Sequence, residues 1–252
     1  MLRSALSVLV VLLLPGLSCA IDANLTDVIT ALETPFKQST QPDAQIRDFQ
    51  AEFVQKSHIA SINRVQRGEG TVRFKFLFAD RSQSPVAQFR WDYRLPSIQE
   101  IISDGRKMWV YLPENRQVIE SDILQLDDHQ GENPVTFLTG LGNLSRDFNV
   151  SWSPDRIDKD GNYQLTLQPR KESQLIQQMK IVVNKEAVSD WRDKGKTGKR
   201  FPILATFVTD AQGNQTAIEF LDARVNESLS PDLFIFEIPA DVERIKPEQM
   251  TF

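Results

Sequence analysis

Ile98–Ser121 reads IQEIISDGRKMWVYLPENRQVIES. Two apolar runs, Ile101–Ile102 and Met108–Leu112, flank the pair Asp104–Gly105. Pro113, Glu114 and Asn115 break the second run, and Gln117–Ile119 starts another extended piece. An Asp-Gly pair between β-rich runs marks a tight hairpin turn, because both central positions take positive φ at little cost. The rest of the chain repeats this grammar, except near the N-terminus and around Phe137.

Working outward, Glu69–Phe78 alternates Val72, Phe74, Phe76 and Phe78 against Arg73, Lys75 and Leu77. Gln88–Tyr93 alternates Phe89, Trp91 and Tyr93 against Arg90 and Asp92. Aromatics on one face and charge on the other predict an antiparallel sheet with one wet face. Asp48–Lys56 reads as a strand before these. Phe148–Ser153, Tyr163–Leu167, Ile176–Val183, Ile203–Thr209, Gln215–Arg224 and Leu233–Ile238 read as strands after them, with turns at Asp160–Gly161 and Gln212–Asn214. About ten or eleven strands are expected by these signals. Leu25, Val28, Ile29, Leu32 and Phe36 share one helical face within residues 22–38. Phe137, Leu138 and Leu141 form the edge of a short helix interrupted by Gly140 and Gly142. Glu186–Arg200 is polar, densely charged and contains two glycines, and reads as an exposed loop or hairpin tip.

Met1–Ala20 is a different kind of sequence. Arg3 precedes an apolar run over Ala5–Leu14, Pro15-Gly16 breaks it, and Ser18 and Ala20 supply small residues at a cleavage site. This predicts a secretory signal, cleaved after Ala20, ahead of one domain over residues 21–252. Cys19 has a second reading, as an acylated lipoprotein cysteine, although Gly16 stands where such a site normally has Leu. A formal net charge of -5 gives no basic excess for nucleic acid. The single cysteine excludes an internal disulfide.

Chemistry is sparse. The two histidines, His58 and His129, lack partner motifs and read as solvated side chains. Asp158–Asn162 has the glycine of a calcium loop, but Arg156 and Leu167 would stand where that loop needs acids, so it reads as a turn. No phosphate-binding glycine loop or nucleophile elbow is present, so neither an enzyme nor a cofactor is expected. The remaining signal is 15 Phe, 4 Trp and 3 Tyr, concentrated on sheet faces. They form an ordinary core or the wall of a cavity for something apolar.

The succession FQAEFVQK (Phe49–Lys56), GEGTVRFKF (Gly68–Phe76), FRWDYRLP (Phe89–Pro96), IISDGRKMWVYLP (Ile101–Pro113), FLTGLGNLSRDF (Phe137–Phe148) and LFIFEIPADV (Leu233–Val242) resembles the periplasmic lipoprotein carrier family, LolA. The resemblance implies a mainly β (α+β) fold: an unclosed, strongly curved antiparallel β-barrel with an N-terminal helix and a short helical lid over an apolar cavity. It implies a periplasmic chaperone that takes acylated lipoproteins from an inner-membrane ABC-type release complex and carries them to an outer-membrane acceptor, as a monomer. An outer-membrane-anchored acceptor lipidated on Cys19, or a lipid- or protein-binding sensor, would share the fold. By the same resemblance Phe53, Phe74, Phe76, Phe89, Trp91 and Tyr93 line the acyl-chain cavity, together with Trp109 and Tyr111. The strand pattern puts those last two on one face without saying which. Phe137, Leu138 and Leu141 match the lid. Arg81 is the candidate for the family's lid-locking arginine, although the family's Arg-Pro has no clean equivalent here. The leader Ile21–Ala44 and the segment Glu186–Arg200 are longer than the family pattern.

Overall fold

The computed structural model describes residues 23–78, 85–123 and 137–245. The expected signal segment, Cys19, Arg81 and His129 lie outside them. The chain opens with helix α1 (Leu25–Glu33), capped reciprocally by Asn24 and Asp27. Such a capping box satisfies two of the first-turn N–H groups. Pro35 then starts a single 3₁₀ turn, Thr34–Phe36, so the expected helix over 22–38 is shorter and tightens at its end.

Six strands follow: β1 (Asp48–Ile59), β2 (Arg64–Leu77), β3 (Val86–Leu95), β4 (Gln99–Ser103), β5 (Lys107–Leu112) and β6 (Gln117–Asp122). A 3₁₀ helix, Phe137–Asn143, runs into the single-turn helix α2 (Leu144–Asp147). Next come β7 (Phe148–Ile157), β8 (Tyr163–Pro169), β9 (Gln178–Val183), helix α3 (Lys185–Lys194), β10 (Ile203–Thr209), β11 (Gln215–Val225) and β12 (Glu243–Ile245). All twelve strands form one sheet, in the order β12-β6-β5-β4-β3-β2-β1-β11-β10-β9-β8-β7. β12 and β7 are the free edges, so the sheet is unclosed. Every pairing is antiparallel except β12 with β6. From β4 to β7 are nine neighbouring strands, which would span about 38 Å if flat. One buried apolar cluster nevertheless includes side chains from both ends of that run, with α1 and Phe137–Leu144 among them. The sheet must curl around these helices.

The hairpin at Asp104–Gly105 forms as read, with Gly105 at φ 92° and the Asp104 carboxylate accepting from the N–H groups of Arg106 and Lys107. Two readings are corrected. Glu186–Arg200 is mostly α3 rather than a loop: Asn184 caps it, Gly195 ends it at φ 68°, and Ala187 and Val188 are buried. The charge density hid an apolar edge that packs towards α1, where Arg192 reaches Asp27 at 3.5 Å. Leu233–Ile238 is not a strand. Pro231 starts a 3₁₀ turn, Phe234 is buried, and the chain crosses the sheet before pairing as β12.

Candidate functional site

The wall is built by register. Phe49 of β1 stands opposite Phe74 of β2, which stands opposite Phe89 of β3. The next row on the same face runs Ala51, Val72, Trp91, Ile101, Val110. The third runs Phe53, Gly70, Tyr93. Side chains two apart on a strand share a face, so all three rows line the inside of the curl. Phe49 stacks on Phe74 with centroids 5.1 Å apart, and Phe74 on Phe89 at 5.4 Å. Phe53 meets both Trp91 and Tyr93 edge-on at 4.8 Å. Gly70 makes this possible: a Cβ there would stand 1.9 Å from the Asp92 carbonyl oxygen and 2.9 Å from the Phe53 ring.

The wall carries few polar atoms. Tyr93 donates to Gln55 Oε1 at 2.8 Å, and burial pushes its phenol up to about 12. Trp91 is fully buried and its Nε1 has no acceptor among the described residues.

Two short helical pieces cover the wall. From α1 and the turn after it come Val28, Leu32 and Phe36, and Phe36 meets Phe76 edge-on at 5.1 Å. From the other piece come Phe137, Leu138, Leu141 and Leu144, all buried. The pieces touch closely at Gly142, where a Cβ would lie 2.8 Å from the Phe36 carbonyl oxygen. Glu33 joins them chemically. Its buried carboxylate takes the Lys37 ammonium at 2.8 Å and the backbone N–H of Ser145, at the start of α2. The far end of α1 is tethered to the opposite wing, because Ala23 donates to the Tyr163 hydroxyl and its carbonyl accepts from Arg156.

Phe53, Phe74, Phe76, Phe89, Trp91 and Tyr93 are therefore brought onto one face, against Phe137, Leu138 and Leu141. Trp109 and Tyr111 are not. Val110 shares the row of Trp91, so its neighbours point the other way. Trp109 and Tyr111 instead meet Phe236 at 6.0 and 5.5 Å, on the outer face, beneath the C-terminal segment. The placement of these two on the cavity wall is corrected: hairpin register, not aromatic content, sets the face. Sequence reasoning passed over Phe49, Phe201 and Phe220 as wall residues, although Phe201 stacks on Phe49 at 4.0 Å. Strand alternation flags Phe49 and Phe220. Phe201 precedes its strand and only packing reveals it. Nothing in the local sequence marks Glu33 as the joint.

The chain is of the class of folds built as an unclosed, curled sheet with an aromatic inner face and a helical cover. The profile of the family described as "Outer membrane lipoprotein carrier protein LolA" matches residues 44–237, and the chain belongs to that family. An outer-membrane lipoprotein carrier protein of Hahella chejuensis is 26% identical over 203 residues, covering 80% of this chain and 83% of its own. One from Bordetella avium is 30% identical over 159 residues, covering 63% and 66%. Among solved structures, a LolA superfamily protein from Nitrosomonas europaea aligns over 85% of this chain and 99% of its own at 14% identity, with a TM-score of 0.40.

Proposed function

We propose that this chain is a periplasmic carrier that shields the acyl chains of lipoproteins between an inner-membrane ABC-type release complex and an outer-membrane acceptor. The observation that carries the reading is the wall of stacked aromatics under a cover divided into two pieces that meet at Gly142 and Glu33. Each buried CH₂ of an acyl chain contributes about 0.8 kcal/mol. An apolar wall gains that energy without demanding polar partners, and a divided cover lets the chain leave again. In this reading the lid side chains Phe137, Leu138 and Leu141 pack on the wall when the protein is empty and are displaced by cargo. Trp91 Nε1 supplies a donor for an ester carbonyl of the cargo.

The carrier acts as a monomer cleaved after Ala20. Its curated relatives bear the carrier name, which supports the reading. Expression of the whole chain in a carrier-depleted Gram-negative strain tests it, with native mass spectrometry of the periplasmic protein. Growth rescue, acylated cargo and a mature start at Ile21 are expected. An acylated Cys19 would make the protein a membrane-bound acceptor instead. Failure to rescue, with no lipid or acylated protein attached, would leave the reading without support.

A further inference from the structure

The outer face carries a separate cleft of about 800 Å³, over β7–β11 and the ends of β1 and β2 that lie beyond the aromatic rows. Register builds its floor from two neighbouring rows. One runs Lys56, Ala217, Phe207, Lys180, Thr166 across β1, β11, β10, β9 and β8. The other runs Val65, His58, Gln215, Thr209, Gln178 across β2, β1, β11, β10 and β9. A pairing irregularity in β7 between Trp152 and Ile157 brings Ser153 and Pro154 to the cleft's side. The Ser153 and Thr166 hydroxyls are 2.9 Å apart there.

The chemistry of this cleft differs from that of the whole chain. Acids outnumber Lys and Arg by 34 to 29 over the sequence, yet no carboxylate lines the cleft. Two acids of that face, Glu69 and Glu219, stand one row away, both opposite Val54. Lys180 Nζ sits over the Phe207 ring, 4.4 Å from its centroid, which positions the ammonium without neutralising it. Neither Lys56 nor Lys180 pairs with a carboxylate among the described residues. Ammonium, hydroxyl and amide donors thus line one cleft beside apolar Val65, Phe207 and Pro154. Donors of this kind suit a tetrahedral oxyanion that carries an organic body. The volume falls in the range of small-ligand sites, about 300–1,000 Å³.

We propose that this cleft is a second binding site, for a small phosphoester held by Lys56 and Lys180 with the hydroxyls of Thr166 and Thr209. It lies on the face opposite the aromatic wall and stands whether or not that wall carries acyl chains. The phosphoester can be free or the headgroup of a phospholipid.

Titration calorimetry on the whole mature chain separates the two sources, with sn-glycerol 3-phosphate and soluble short-chain phosphatidylglycerol as probes. A glutamate-rich peptide is titrated beside them. Saturable binding of glycerol 3-phosphate is expected if the free ester suffices, and of the lipid alone if the headgroup is the ligand. In either case K56Q/K180Q weakens binding about tenfold or more, a loss of at least about 1.4 kcal/mol, while Lys194→Gln on α3 leaves it unchanged. Circular dichroism confirms that the double variant is folded. If it is not, lysine chemical-shift changes at Lys180 in the wild-type chain give the same answer. No saturable binding of either phosphoester would overturn the proposal. So would lipid binding that ignores K56Q/K180Q, or tighter binding of the acidic peptide.

Discussion

One apolar sheet has two covers here, and they are fastened differently. The inner face of β1–β3 is closed by α1 and Phe137–Leu144, largely through side-chain packing, with Glu33 as the polar joint between the pieces. The outer face is crossed from β1 to β6 by the C-terminal segment, which is strapped down by hydrogen bonds. The buried Asp48 carboxylate accepts from the N–H groups of Glu227 and Leu229, and its carbonyl takes that of Asn226. Lys75 donates to the Leu229 carbonyl, Arg90 to that of Leu233, and Glu243 pairs with the sheet edge. Packing is non-directional and can be exchanged for an acyl chain of similar apolarity. A buried hydrogen bond cannot be exchanged in that way, because breaking it strands a donor or acceptor. The difference shows which cover rests on contacts that an apolar ligand could replace.

Four substitutions or conditions test this contrast. Asp48→Ala removes the acceptor for two backbone donors of the strap and is expected to destabilise the protein by about 3 kcal/mol in urea unfolding. A loss below about 1 kcal/mol would mean the outer cover is no better fastened than the inner one. Leu138→Glu puts a charge under the inner cover. It is expected to abolish binding of a fluorescent fatty acid while the far-ultraviolet circular dichroism of the sheet persists. Global unfolding of this variant would make Leu138 plain core.

Tyr93, at the rim of the wall, supplies a pH test. Its phenol is held protonated to about 12 by burial, whereas an unfolded tyrosine ionises near about 10. Its contribution is complete below pH about 10 and is lost as pH rises towards about 12, by up to roughly 3 kcal/mol. The melting temperature should therefore fall more steeply over that window in the wild type than in Tyr93→Phe. Parallel curves would remove the rim from the account. The smallest effect is expected from Glu33→Ala, which cuts the joint between the two pieces of the inner cover and costs about 1–2 kcal/mol. Binding of a hydrophobic dye should rise in this variant, and no rise would place the joint elsewhere.

Much of this was legible in the chain. Period-two alternation in β2 and β3 placed Phe74, Phe89 and Trp91 together, because successive side chains on a strand must point to opposite faces. Asp104–Gly105, Asp160–Gly161 and Gln212–Asn214 marked turns, because few residues tolerate positive φ. The spacing of Val28, Leu32 and Phe36 gave one face of a helix, the face that packs inward. The signals for α3 were also present, in Asn184 and Gly195, but charge density outweighed them.

The side of the sheet to which a row belongs is a different matter. Alternation says that Trp109 and Tyr111 share a face and that Met108 and Val110 share the other. Only the pairing of Ile101 with Val110 decides that Trp109 lies outside. Leu233–Ile238 had strand-forming composition, yet it lies across the sheet as a cover, because its Leu233 carbonyl accepts from Arg90 and its Phe236 packs on Trp109 and Tyr111, all distant in sequence. The contacts of Phe201 with Phe49, and of Glu33 with Ser145, likewise join residues more than a hundred positions apart. Local sequence determined the strands, turns and helical faces, since those follow from dihedral preference and side-chain period. The curl of the sheet decided which face became the wall, which cover was strapped and which was held mainly by packing. That curl arises from pairing among all twelve strands.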